Sequence, residues 1–200
     1  MRLARSLGLA ALAVTDHDSF RGSVLASRIS KLLGGPVIVF GSEVRTEYGD
    51  VLVYCRDPVE RAPRLLEALR EWAGENNCIL VAAHPYHPVR SSIGPRVSRL
   101  LEYFDAIEVW NSRGLPWFNL PALLLARRRG VPGTSGSDAH VEQEVATSPV
   151  ALPEPPRRAG DVVDWIAKGI VEPRPGLPRL RALPHVLAWA LERRLGGGTL

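Results

Sequence analysis

Histidines and acids recur along this chain, each just after a short apolar run. Asp16 and His17 follow Ala11–Val14, Glu43 follows Val37–Phe40, His84 follows Ile79–Ala82, and Asp138 and His140 follow Gly133–Ser135. Asn111 stands in the same relation to Ala106–Val109. Imidazole nitrogens and carboxylate oxygens without thiolate form a donor set suited to Zn²⁺, Mn²⁺ or Fe²⁺. A carboxylate can bridge two such ions, and a cluster of that kind holds a hydroxide at neutral pH and steadies the oxygens of an attacked phosphate. His87, Arg90 and Arg113 lie a little beyond two of the runs, where a guanidinium could grip a phosphate bidentately. Serine chemistry fits poorly. Ser135 and Ser137 lie near His140, but the chain has no GxSxG elbow and no glycine-rich phosphate loop.

For these side chains to meet, the runs must be neighbouring parallel strands. Each is short and almost continuously apolar, as in a sheet covered on both faces. Helical stretches separate them: Ser23–Leu33, Val59–Ala73, Pro95–Tyr103, Pro116–Arg129 and Val162–Lys168, with Leu180–Arg194 near the end. Val51–Cys55 is a further strand, and the turn Thr46–Asp50 before it reads as a hairpin. Strand–helix alternation indicates a doubly wound sheet or a barrel, in which side chains from several strands converge at the C-terminal edge. The basic start followed by apolar Leu7–Val14 could be taken for a signal peptide. A helix Arg2–Ser6 capped at Gly8 and followed by a buried strand accounts for it better, since cleavage there would cut into Thr15-Asp16-His17-Asp18.

The 200 residues suffice for one domain with a sizeable core. A composition 46% hydrophobic and 23% charged excludes wholesale disorder. The longest apolar run falls far short of the roughly 18 residues of a membrane span. The net charge of +4 is carried almost wholly by arginine, the only lysines being Lys31 and Lys168; an arginine-rich, solvated surface accounts for it. Cys55 and Cys78 read as small buried residues, and their scarcity fits a reducing, cytoplasmic setting. Trp110 and Trp117 read as core packing.

The blocks Thr15-Asp-His-Asp18, Gly41-Ser-Glu43, Ala83-His-Pro85 and Gly136-Ser-Asp-Ala-His140, in that order, resemble the PHP (polymerase and histidinol phosphatase) family. Ile107-Glu-Val-Trp-Asn111 is similar to that family's fifth strand. The resemblance extends to about Lys168 and is nearest to the small stand-alone phosphoesterases. It implies an α/β fold, a distorted (β/α)7 TIM-like barrel over residues 1–195, with 196–200 a flexible tail. It also implies a trinuclear metal site that hydrolyses a phosphomonoester, or a nucleotide or oligonucleotide end, by a metal-activated hydroxide. Carried over by motif, Glu43 bridges two ions, His84 and Asp138 each bind one of that pair, and His17 and His140 hold the third. Glu43, Asp138 and His140 are then the catalytic group. Asp16 orients its neighbour from behind, and His87, Arg90, Asn111 and Arg113 face the substrate.

One departure from the family pattern bears on this reading. Family members open with a strand ending in His-x-His, whereas this chain begins within what that pattern makes the first helix. The first strand is therefore expected to be missing, leaving unpaired strand edges. Fewer ions (Mn, Zn, Fe or Mg) than the family's three are then expected, with impaired catalysis. The expected partner is a phosphorylated small molecule or nucleotide, with no membrane. The resemblance also admits a histidinol-phosphate phosphatase and an accessory polymerase module. A non-catalytic scaffold like the barrel subunit of ribonuclease P is a further alternative, its arginines binding single-stranded nucleic acid.

Overall fold

Five of the apolar runs and the return strand of the hairpin assemble into one six-stranded sheet, whose strands lie in sequence order. The computed structural model describes residues 1–195. The strands are β1 (Ala11–Val14), β2 (Val37–Arg45), β3 (Asp50–Cys55), β4 (Cys78–Ala82), β5 (Ala106–Asn111) and β6 (Gly133–Gly136). Only β3 runs against its neighbours, so the C-terminal ends of the other five share one edge. The expected hairpin makes this reversal: Thr46 and Gly49 exchange backbone hydrogen bonds, and Arg45 pairs with Asp50. Gly49 has φ 142°, and a Cβ there would lie 2.7 Å from the Ile93 nitrogen, so the turn needs glycine.

Alternation along the strands gives the sheet two apolar faces. On one, Val51, Val53 and Leu80 pack with Phe20 and with Leu66 and Leu69 of a helix spanning Leu66–Glu75. On the other, Val39, Leu52, Tyr54 and Val81 meet Val162, Val163 and Ile166 of a helix spanning Ala159–Ala167. In chain order the helices are α1 (Arg2–Ser6), α2 (Arg21–Leu33), α3 (Leu66–Glu75), α4 (Pro116–Arg129), α5 (Ala159–Ala167) and α6 (Leu183–Leu195). Arg56 ties the end of β3 to α5 through Asp164 (Nη2···Oδ1 2.5 Å).

A closed (β/α)7 barrel is not what these strands form. The sheet is curled and open, a half-barrel, and α5 covers the face that carries Val39, Leu52 and Tyr54. A two-stranded ribbon, β7 (Val150–Ala151) with β8 (Glu172–Pro173), escaped the sequence reading because two residues carry no alternation to detect. The helix expected over Val59–Ala73 starts only at Leu66; Pro63 biases its predecessor away from the helical region. Pro95–Tyr103 forms two 3₁₀ turns, Gly94–Ser98 and Leu101–Tyr103, in place of an α-helix. The expected tail, 196–200, lies outside the described residues. Trp117 is 60% exposed rather than packed in the core, and Trp110 is half-buried with its indole N–H donating to the Gly176 carbonyl at 2.7 Å. Among the described residues, no helix is long and apolar enough to cross a membrane.

Cys55 and Cys78 are not two separate buried thiols. They face each other in the β3–β4 register and are joined by a disulfide. The link closes a loop of 23 residues' separation, for which the chain-entropy relation gives about 3 kcal/mol of stabilisation. The urea midpoint is therefore expected to fall on adding reductant. Two free thiols titrating in the untreated, denatured protein would refute the pairing.

Candidate active site

The strand edge carries two groups of side chains. The first gathers around Glu43. The β1–β2 ladder runs on to a bridge between His17 and Glu43, which brings His17 Nε2 within 3.7 Å of Glu43 Oε2. Glu43 therefore stands within β2 rather than beyond its end, because the strand extends to Arg45. From the end of β4, His84 Nε2 approaches Glu43 Oε1 at 3.0 Å. Asp50, at the start of β3, shares Glu43's face two pairs further along, since Glu43 pairs with Leu52. One donor atom each from Glu43, Asp50 and His84 lie within 4.8 Å of one another, and all three residues are buried. Sequence reasoning missed Asp50 because it was assigned to the turn; the hairpin register was the signal that could have found it.

The second group surrounds Asp138, and arginines fill it. Arg90 forms an ion pair with the Asp138 carboxylate, and Arg113 Nη1 stands 4.0 Å from its other oxygen. Arg113 Nη1 also lies 2.6 Å from His140 Nδ1. A guanidinium has only donors, so this ring nitrogen accepts. Glu144 completes the group, 3.4 Å from Arg113 Nε and accepting from the His140 backbone N–H at 2.8 Å. Asn111, the last residue of β5, donates to Asp138 Oδ2 at 3.1 Å. His87 sits between His84 and Phe118, ring centroids 6.4 and 5.4 Å away. Asp16 contributes its backbone: its carbonyl accepts from the Glu43 N–H at 3.1 Å and the Ser42 hydroxyl at 2.9 Å. Its carboxylate lies against Gly22, where any Cβ would collide with it.

Glu108 on β5 stands between the groups and was passed over in the sequence because it reads as one more strand residue. It is 3% exposed. It accepts from the His84 backbone N–H at 2.7 Å and from Asn111 Nδ2 at 3.3 and 3.2 Å. Two residues of the site take left-handed backbone, His84 at φ 27° and Asp138 at φ 49°, an uncommon conformation without glycine. A cavity of about 1610 Å³ opens over His17, Glu43, His84, Glu108, Asp138 and His140. β1 and the Ser135–His140 loop line opposite parts of its wall, and Trp189 of α6 also reaches it, its ring 4.5 Å from that of His140.

Burial works to raise the Glu43 carboxyl. The hydrogen bond with His84 and the charges of His84, His17 and Arg90 outweigh it and hold the group below its ordinary value. Burial pushes Glu108 up, against the pull of His84 and Asn111. Burial, then the charges of Arg113 and Arg90, lower His140 to about 4. Burial and the charges of Arg90, His84 and Arg113 do the same to His87, to about 4. Both rings therefore bind protons less readily folded than unfolded, where the value is 6.5. Their contribution to stability is present above pH 6.5 and is lost as the pH falls from about 6.5 to about 4. In chelator-treated protein the urea midpoint should drop across that window, and His140→Asn should flatten the slope. A midpoint that rises on acidification would contradict this.

The donor chemistry around Glu43 suits a cation. The Ser92 hydroxyl donates to the His84 carbonyl at 2.9 Å, so it accepts from His84 Nδ1 at 3.2 Å. With Nδ1 held by Ser92, Nε2 is left to face the Glu43 carboxylate, and a cation could take the place of the proton shared between them. In the Asp138–His140 group both the acid and a ring nitrogen are engaged by guanidinium, whereas around Glu43 it is Asp50 that is so engaged, by Arg45 Nε at 3.2 Å.

Comparison with known proteins places this geometry in a family context. Residues 116–171, which contain Asp138 and His140, match the model of the PHP-associated family. The likeness to PHP proteins read from the motifs is shown on that segment. An uncharacterized protein of Methanocaldococcus jannaschii is 28% identical over 116 residues, covering 56% of this chain. The match spans 64% of that relative's length. Three solved structures share the fold. A Bifidobacterium adolescentis protein assigned as a metal-dependent phosphoesterase superposes with TM-score 0.61 at 16% identity, over 84% of this chain and 89% of its own. PsfC of Pseudomonas syringae gives 0.63 at 22%, over 98% and 88%. A Chromobacterium violaceum amidohydrolase, solved with sulfate and no metal, gives 0.62 at 17%, over 86% and 90%.

Proposed function

We propose that this chain is a metal-dependent phosphoesterase acting on a small phosphomonoester or a nucleotide end. The observation that carries the reading is the Glu43–Asp50–His84 cluster, with His17 beside it and His84 Nε2 3.0 Å from Glu43 Oε1. Those four side chains would hold a divalent cation (Mn, Zn, Fe or Mg). When bound, such an ion acts as a Lewis acid and activates water at neutral pH. The PHP-associated match and the phosphoesterase assigned to one structural neighbour support the same class.

The chain's own residues supply the rest. Arg90 and Arg113 bring two guanidiniums to Asp138, which lines the cavity, and a guanidinium is a planar and bidentate match for a phosphate. Asn111 and Glu144 fix where they stand: the Arg113 backbone N–H donates to Asn111 Oδ1 at 3.0 Å, and Glu144 pairs with its guanidinium. An arriving phosphate displaces Asp138 from Arg90 and releases that carboxylate, with His140, to the reaction. We infer slow turnover for this chain, because the Asp138–His140 group must break those ion pairs before it can act.

The test is phosphate release from p-nitrophenyl phosphate and nucleoside monophosphates by the chelator-treated chain, with and without Mn²⁺, Zn²⁺, Fe²⁺ or Mg²⁺. Release that needs the divalent ion supports the reading. No release above the buffer blank with any of the four defeats it. Salt-dependent binding of single-stranded RNA by the same metal-free protein would then favour the scaffold alternative, to which the arginine-filled Asp138 group lends itself.

A further inference from the structure

We infer that Glu108 is a positioning residue that couples the two halves of the site, fixing the His84 backbone with one oxygen and the Asn111 amide with both. The inference rests on the phosphoesterase reading for its consequence in metal binding, but its geometry stands on its own.

The groups around Glu108 act as donors toward it. The His84 N–H reaches Oε2 at 2.7 Å, and Asn111 Nδ2 reaches both oxygens. Asn111 cannot turn its amide over. Its Oδ1 accepts from the Arg113 N–H at 3.0 Å, so Nδ2 must face Glu108 and Asp138. Its backbone is held in turn by Asn119, whose Oδ1 accepts from the Asn111 N–H and whose Nδ2 donates to the Asn111 carbonyl, both at 3.0 Å. One carboxylate thus anchors the left-handed turn at His84, which aims Nε2 at Glu43, and the amide that holds Asp138. A side chain at residue 136 would crowd it, since a Cβ on Gly136 would lie 2.8 Å from Glu108 Oε1.

The chemistry demands a carboxylate. Glutamine has nearly the same shape but only one acceptor end. Whichever way its amide is turned, an N–H₂ faces either the His84 N–H or Asn111 Nδ2, donor against donor. Glu108→Gln is therefore expected to loosen both halves while leaving the sheet intact. Asn111→Ala is the second variant, removing only the Asp138 branch.

Two readouts separate this inference from the function it serves. In metal-free protein, ¹⁵N NMR should show the His84 and Asp138 amides of Glu108→Gln shifted, and the His84 amide less protected from exchange, while that of Leu69 stays put. Asn111→Ala should move Asp138 and leave His84 in place. If Glu108→Gln leaves both amides unmoved, or unfolds the chain while Asn111→Ala leaves Asp138 unmoved, the inference is overturned. Calorimetry with Mn²⁺ is the second readout, with affinity expected to fall by roughly 10- to 100-fold, as for other groups that orient metal ligands. Folded Glu108→Gln binding Mn²⁺ within twofold of wild type would also overturn it. If the wild-type chain binds no Mn²⁺ but the amides move as expected, Glu108 keeps its role and the hydrolase reading falls instead.

Discussion

Glu43→Gln should lower Mn²⁺ affinity and metal-dependent phosphate release together, by roughly 100-fold or more. The lower bound follows from what displacing a ligand's supporting group already costs; here the proposed ligand itself is changed. Glu43 faces two imidazoles, His17 at 3.7 Å and His84 at 3.0 Å. Stability should change as well, with a predictable sign. The carboxyl is held below its ordinary value of 4.5 in the fold. Its contribution is therefore present above that value and is lost as the pH falls through the lower folded one. The variant should be less stable than wild type at pH 7 in metal-free buffer, with the gap narrowing as the pH falls below 4.5. Titration calorimetry and urea unfolding at pH 7 and pH 3.5 check the two halves. Unchanged Mn²⁺ affinity would remove Glu43 from the centre of the site.

Phe20→Ala should cost about 3–5 kcal/mol of stability, the usual range for truncating a buried phenylalanine. Phe20 is 1% exposed and packs into the core with Leu66 and Leu69, its ring 6.1 Å from that of Trp72. It also ends the short connection from β1 to α2 that carries His17, so its loss should weaken metal binding through a residue that touches no metal. Leu32→Ala is the control: on the same helix, α2, but 85% exposed, it should stay within about 0.5 kcal/mol of wild type. A Phe20→Ala loss below 1 kcal/mol in urea unfolding would show that this connection is held by something else.

Much of this arrangement was legible in the sequence, for stated reasons. Ala11–Val14 and Pro116–Arg129 fall where their apolar pattern and caps put them. His84, Asp138 and His140 follow strand ends as expected. The residues missed were those whose partners are set by register rather than by neighbours in the chain. Asp50 looks like a turn acid until β3 is paired with β2. Glu108 looks like an ordinary strand residue until the His84 turn comes to rest on it. Cys55 and Cys78 become a pair only once β3 and β4 align. The arginine ion pairs of Asp138 were not foreseeable, since Arg90, Arg113 and Asp138 lie on three separate connections whose approach depends on how far the sheet curls.

The single reversed strand has a consequence for how the molecule comes together. Glu43 and Asp50 sit on opposite arms of one tight turn, so they can become neighbours after the closure of a very short loop. Parallel partners must wait for long crossovers to close, which makes such contacts slower to form. The acids can accordingly be in place early in refolding, ready to recruit His84 and His17 as the remaining strands arrive.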